Sequence, residues 1–215
     1  MSDHADPQAS PARGTPHRGL EPVTLAGDVV TLEPLRREHA GDLGAAAADG
    51  RLWELWYTSV PTRDGMTVDV EAKLALRDTG EMLPFVVRRN DTGAVVGMTT
   101  YCNVDAETPR LEIGHTWTAA SAQRTGVNTE SKLLLLRHAF EVLGCVAVEF
   151  RTHWHNTQSR TAIAALGAKQ DGVLRNHRRL PDGSLRDTVV FSITDAEWPA
   201  VRNRLQHRLA RHSGR

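Results

Sequence analysis

Apolar and polar positions alternate most clearly over residues 110–118, where Leu111, Ile113 and Trp117 interleave with Glu112, Thr116 and Thr118, the period-two pattern of a strand. After a short loop, Leu133, Leu136, Phe140 and Leu143 recur at steps of three, four and three, one face of a helix. Between them Gly126 lies directly before the helix start. A strand feeding a glycine loop at a helix N-terminus is a ready anion site, because the first-turn amides lack acceptors and the helix dipole is positive there.

The same patterning organises the rest of the chain. It predicts a strand over 29–35, a helix over 37–48 and a second helix over 67–77. Strands follow over 85–88 and 95–101, joined by the turn residues Asn90-Asp91-Thr92-Gly93. Beyond the central unit come a strand over 146–152, a helix over 157–166, and strands over 173–177 and 188–193 flanking Pro181-Asp182-Gly183. Trp198, Val201, Leu205 and Leu209 mark a closing helix. Thr194 and Glu197 read as its capping box, and Pro199 leaves two choices, a kinked first turn or a start near Trp198. This order is an α/β mixture with an antiparallel first half and one strand–helix–strand crossover.

Composition narrows the class. With 215 residues and 40% hydrophobic content the chain can bury one core, so residues 21–198 are read as one domain. Residues 1–20 carry no apolar run and are read as a disordered leader, and 199–215 as the end of the last helix with a basic tail. Lys and Arg number 26, as do Asp and Glu, so no global field points to nucleic acid or a membrane. Cys102 and Cys145, both in apolar segments, fit buried thiols in a reduced, cytoplasmic setting. His153-Trp154-His155 alternates across strand faces without a third ligand, so no metal is expected. The arginines after Glu197 read as a solvated face; an RNA or ribosome contact is the sharper alternative.

Gln123-Arg124-Thr125-Gly126-Val127-Asn128 resembles the Gln/Arg-x-x-Gly-x-Gly/Ala pyrophosphate loop of the GNAT acetyltransferases, and the preceding Leu-Glu-Ile-Gly-His-Thr-Trp resembles their bulged strand. Asn128 in place of Gly or Ala marks the RimJ/RimL-like branch. A second stretch, Asn156-Thr157-Gln158-Ser159 followed by Leu166-Gly167-Ala168, resembles the Asn-x-x-Ser/Ala segment of the superfamily. The likeness spans about 25–198.

The resemblance implies the GNAT fold, a mixed, mostly antiparallel sheet of about seven strands that splays at the acetyl-CoA site between flanking helices. It implies an N-acetyltransferase with acetyl-CoA as co-substrate and a small-molecule or peptide amine as acceptor. Main-chain groups near Thr116, Trp117 and Thr118 would meet the pantetheine, and amides of Arg124, Thr125, Gly126, Val127, Asn128 and Thr129 the diphosphate. Glu130 must then point away from the phosphates. Asn156 reads equally as a helix N-cap and as a pantetheine ligand. Ile163 stands where many members carry a catalytic tyrosine; likeness to the RimJ/RimL-like enzymes, which use the serine three residues after the Asn, implies Ser159 as the group beside the departing thiolate. Glu112 is the first candidate base and His115 the second, the latter also facing the acceptor. Trp53, Trp56 and Tyr57 are expected on the acceptor wall, where aromatic faces attract a cationic amine, with Asp49 and Glu54 as supporting carboxylates. Two other readings stay open, a CoA-binding module without turnover and the ribosome-associated one. A homodimer is a common state for such enzymes.

Overall fold

The computed structural model describes residues 20–180 and 182–213 of the chain. The expected leader falls outside these residues except for Leu20. One sheet of eight strands runs through the molecule in the order β1-β2-β3-β4-β5-β6-β8-β7. Its strands are β1 (Leu25–Ala26), β2 (Val30–Pro34), β3 (Met82–Arg89), β4 (Val95–Asp105), β5 (Arg110–Thr118), β6 (Ala147–His153), β7 (Lys169–Arg179) and β8 (Leu185–Thr194). Every neighbouring pair is antiparallel except β5 and β6, which the crossover helix forces to be parallel. The strand beyond the seven expected is β1, whose two residues are too few to show alternation.

The helices are α1 (Ala40–Ala48), α2 (Met66–Asp78), α3 (Val127–Arg137), α4 (Thr157–Leu166) and α5 (Trp198–Ser213). Where a helix was expected from 37, Arg37–His39 form a tighter single turn before α1. The apolar face expected to run to Leu143 leaves α-geometry at His138 and continues as a wider turn to Val142. α5 starts at Trp198, so Pro199 lies in the first turn, where its missing N–H removes nothing. The expected capping box is not formed: with the helix starting at Trp198, Glu197 accepts from the Thr194 amide and hydroxyl at 3.0 Å each, and its own amide donates to the Thr194 carbonyl.

Two hydrophobic clusters occupy the two faces of the sheet. On one face Leu111, Ile113, Val148, Phe150 and Tyr101 pack with Leu133 to Leu136 of α3 and with Trp198, Val201 and Leu205 of α5. On the other, α1 and α2 cover the β3–β4 side, with Leu43, Met66, Val70 and Leu74 against Val86 and Met98. The second face is polar further along: Glu149, Arg151 and His153 of β6 alternate with the core residues Val148, Phe150 and Thr152.

Glu130 ties the crossover helix to the first strands. It is buried, and its carboxylate accepts from the amides of Asp28 at 3.0 Å, Val29 at 2.6 Å and Val30 at 2.7 Å. Gly27 is required beside it, since a Cβ there would lie 2.5 Å from the carboxyl carbon. Glu130→Ala leaves those donors without their acceptor, at roughly 1–3 kcal/mol for each buried one. The expected result is a loss of about 3 kcal/mol or more, read as a lower urea midpoint at unchanged slope.

Candidate active site

The site is built around a fork. β5 and β6 pair only through Arg110 with Ala147, Leu111 with Val148 and Glu112 with Glu149, after which both strands run on without pairing to each other. The cause lies on the far edge of β5. His115 adopts a left-handed φ of 48°, and the register with β4 shifts between Met98 and Thr100, the signature of a bulge that turns the strand. Past the bulge, Thr116, Trp117 and Thr118 line the open side of β5. Trp117 packs against both hydrophobic clusters, so its ring serves the core while its main chain borders the gap.

Beyond β5 the chain makes a short turn and enters α3. Arg124 is left-handed with φ 62°, and Gly126 stands at the helix N-cap without a side-chain cap. The Thr125 hydroxyl donates to the Ala122 carbonyl at 2.7 Å and accepts from the Val127 amide at 3.3 Å. The amides of Arg124, Thr125, Gly126, Asn128 and Thr129 have no acceptor among the described residues. They form, with the positive end of α3, a cradle suited to a diphosphate. Glu130 faces β1 and β2 instead, which meets the condition the loop reading set for it.

α4 starts at the open end of β6. Asn156 caps it, its Oδ1 accepting from the Ser159 amide at 2.9 Å, which leaves Nδ2 for any ligand contact. The Ser159 hydroxyl has no partner among the described residues. Gln158 Nε2 donates to Gln123 Oε1 at 3.2 Å, so the start of α4 and the cradle loop meet across one mouth of the gap.

Glu112, the last β5 residue paired with β6, sits at the vertex. It is buried, accepts from Asn103 Nδ2 at 2.6 Å and lies 3.5 Å from Arg151 Nε. Burial pushes its carboxyl above the ordinary carboxylate range, against the pull of Asn103 and Arg151. Gly114 makes room for it, since a Cβ there would stand 2.9 Å from Glu112 Oε1. His115 is exposed to solvent yet hemmed in by protein; desolvation and then Lys73 of α2 lower its pKa. Cys102, against Gly114, is pushed up to about 12 by burial, and Cys145 to about 11.

The expected aromatic wall divides. Trp53 packs into the cluster under α1 and α2, whereas Trp56 is 59% exposed. The Trp56 ring stands 5.5 Å from Tyr57, 5.1 Å from His153 and 5.7 Å from His155. His153 is buried, accepts from the His155 amide at 3.0 Å through Nδ1, and has no partner for Nε2. Asp49 and Glu54 are committed elsewhere: Asp49 accepts from the Ser121 amide at 3.1 Å and hydroxyl at 2.5 Å, and Glu54 pairs with Arg51. No three His, Cys, Asp or Glu side chains are grouped to hold a metal among the described residues. Nor is any described helix long and apolar enough to cross a membrane.

Sequence reasoning gave Lys132 no role. It is fully buried on α3, donating to Thr116 Oγ1 at 2.7 Å and Thr99 Oγ1 at 3.0 Å, which are 2.8 Å apart. These bonds pin both strands at the bulge to the crossover helix. The available signal was its position one turn from Leu135 and Leu136, on the apolar face. Desolvation lowers its pKa from 10.5 to about 7. Between those values the unfolded chain binds the proton and the folded chain does not, so the contribution of Lys132 to stability rises with pH. Lys132→Met should remove a slope of about 1.4 kcal/mol per pH unit over that window, read as the difference between the two proteins' unfolding free energies.

A sequence model described as an acetyltransferase (GNAT) domain matches residues 30–169. No curated protein matches the chain. Among solved structures, a GCN5-related N-acetyltransferase from Brucella melitensis is 31% identical, with 91% of this chain and 89% of that one covered and a TM-score of 0.78. A GNAT-family protein from Chromobacterium violaceum is 27% identical over 93% of this chain and all (100%) of that one, at a TM-score of 0.76. Mycobacterium smegmatis RimJ, solved with CoA-disulfide, is 28% identical over 86% and 91%, at a TM-score of 0.71. Fold, fork and family match agree: the chain is an acetyl-CoA-dependent acyltransferase of the GNAT family, in its RimJ/RimL-like branch.

Proposed function

We propose that the chain transfers acetyl from acetyl-CoA to a primary amine, either a protein N-terminus or a small molecule, by direct attack within a ternary complex. The observation that carries this reading is the fork, with the amide cradle of α3 on one side and Glu112 at its vertex. Acetyl-CoA supplies an activated thioester. Amides of Arg124, Thr125, Gly126, Asn128 and Thr129 hold its diphosphate, and the open edge of β5 at Thr116 to Thr118 takes the pantetheine.

The amine nitrogen attacks the thioester carbonyl; a C–N bond forms, the C–S bond breaks and CoA leaves as thiolate. Main-chain amides past the bulge stabilise the oxyanion, a term worth about 3–4 kcal/mol for a well-placed donor. Glu112 takes the amine proton, because burial has raised its basicity, whereas His115 is made less basic by desolvation and Lys73. The Ser159 hydroxyl and Asn156 Nδ2 donate to the departing sulfur. No acyl-enzyme forms on cysteine, since both thiols are held protonated. Trp56 and Tyr57 line the acceptor entrance.

Thiol release from acetyl-CoA across a panel of amines and N-terminal peptides tests the whole scheme. Turnover with one acceptor class is expected. Glu112→Gln should lower kcat about 100-fold or more and abolish the rise of rate with pH through its raised pKa. Ser159→Ala should lower kcat about tenfold, the loss of one hydrogen bond to a charged atom. Unchanged acetyl-CoA binding in both would assign the losses to chemistry. Tight acetyl-CoA binding with no turnover on any acceptor would overturn the reading in favour of a binding module.

A further inference from the structure

The β7–β8 hairpin runs on past the open end of β6, where His153 pairs with Thr188, and carries two arginines without a partner among the described residues. Arg178 and Arg186 are directly opposite each other across the two strands. Residues so paired share a face of the sheet, and like charges there repel. Arg186 Nε is buried without a partner, and neither side chain has a hydrogen bond or ion pair among the described residues. Arg186 lies two residues before Thr188, which pairs with His153 at the open end of β6, and so shares their face of the sheet. Both arginines bear electrostatically on His115 and His177, and each is coupled to Glu112.

The other charges around them are committed. Glu149 accepts from Arg110 and from Arg151, the latter at 2.9 Å. Asp69 of α2 pairs with Lys73 through Oδ1 while its Oδ2 is buried without a partner, and Asp187 pairs with Arg175 at 2.6 Å. Glu112 is bonded by Asn103 and faces Arg151. His115, His153 and His177 all have lowered pKa values through desolvation first and the nearby cations next, so none of them supplies the missing partner.

We propose that Arg178 and Arg186 form an oxyanion subsite of the acceptor cleft, so that the acceptor is an amine bearing a carboxylate or phosphate near its nucleophilic nitrogen. A guanidinium pair of this kind matches the planar, bidentate geometry of either group. Bound between the arginines, the anion relieves their mutual repulsion and fixes the amine toward Glu112. This rests on the transfer reading for the identity of the cleft, not for the anion site itself.

The test uses the full chain saturated with CoA, so that the phosphates of CoA cannot compete, at constant ionic strength. Calorimetry would compare O-phosphoethanolamine with ethanolamine, and methionine with methionine amide, on wild type, Arg178→Gln, Arg186→Gln and Arg186→Lys. At least one anionic member should bind tenfold or more tightly than its neutral partner, and which pair does so identifies phosphate or carboxylate. Either glutamine variant should erase that advantage while leaving CoA affinity unchanged, and the lysine variant should keep part of it. If the half-buried Arg186→Gln fails to fold, the exposed Arg178→Gln decides alone. Equal binding of both members of each pair, or an advantage that survives the substitutions, overturns the proposal. Thiol release with the same four amines separates the two readings. Anion-dependent binding without turnover would refute transfer and leave the subsite standing, whereas turnover that favours the neutral amines would do the reverse.

Discussion

Parallel pairing between β5 and β6 has to stop after Glu112, and the rest of the site follows from that constraint. A bulge at His115 turns β5 away, so its later residues keep β4 as a partner on one edge and lose β6 on the other. The strand gives up ladder hydrogen bonds there, which in a water-filled gap are replaced by solvent or ligand. The opening is therefore a stable feature of the fold and needs no moving part. Because β6 ends in the cap of α4 and β5 ends in the loop of α3, two helix N-termini flank one opening.

Holding that geometry obliges α3 to carry polar groups into the core, and its two buried charged residues are accommodated in different ways. Glu130 keeps its hydrogen-bond partners in a turn of three main-chain amides between β1 and β2. Lys132 has only two threonine hydroxyls, and burial brings its pKa down to about 7. A buried cation with so little compensation is costly, so the lysine moves toward neutrality. Both residues join strands that the sheet alone does not tie to the helix, one at β1–β2 and the other at the bulge. The crossover helix thus sets the position of the cradle loop relative to the fork.

Much of this was legible in the sequence because the signals were local. The alternation over 110–118 and the leucine spacing on α3 gave the strand–loop–helix unit, and the loop residues gave the family. Asn156 showed its N-cap because capping is decided within three residues. What stayed hidden depends on register. β7 and β8 run longer than their apolar cores, and irregular pairing between Leu174 and Arg178 sets which arginines face each other. Nothing in the chain order places Arg178 opposite Arg186. In the same way Trp53, Trp56 and Tyr57 looked equivalent, and only packing under α1 and α2 sends Trp53 inward while Trp56 meets His153 and His155. Asp49 and Glu54 looked available for a cationic acceptor until Ser121 and Arg51 were found against them.

Those two carboxylates matter for the chemistry, because their bonds to Ser121 and Arg51 hold them away from a free role toward the amine. An aromatic wall with carboxylates would hold an ammonium and keep it protonated, which stabilises the wrong form of a nucleophile. The observed surround is cationic instead: Arg151, Arg178 and Arg186 act on the vertex, and the neighbouring histidines are driven toward their neutral forms. Such a field opposes the charged form of any amine placed beside Glu112 and so favours the free base that attacks. It also repels a simple cationic substrate at long range. An acceptor that brings its own anion escapes that repulsion while its nitrogen still enters a field that favours deprotonation. Binding and activation, which conflict for a plain amine, then act in the same direction.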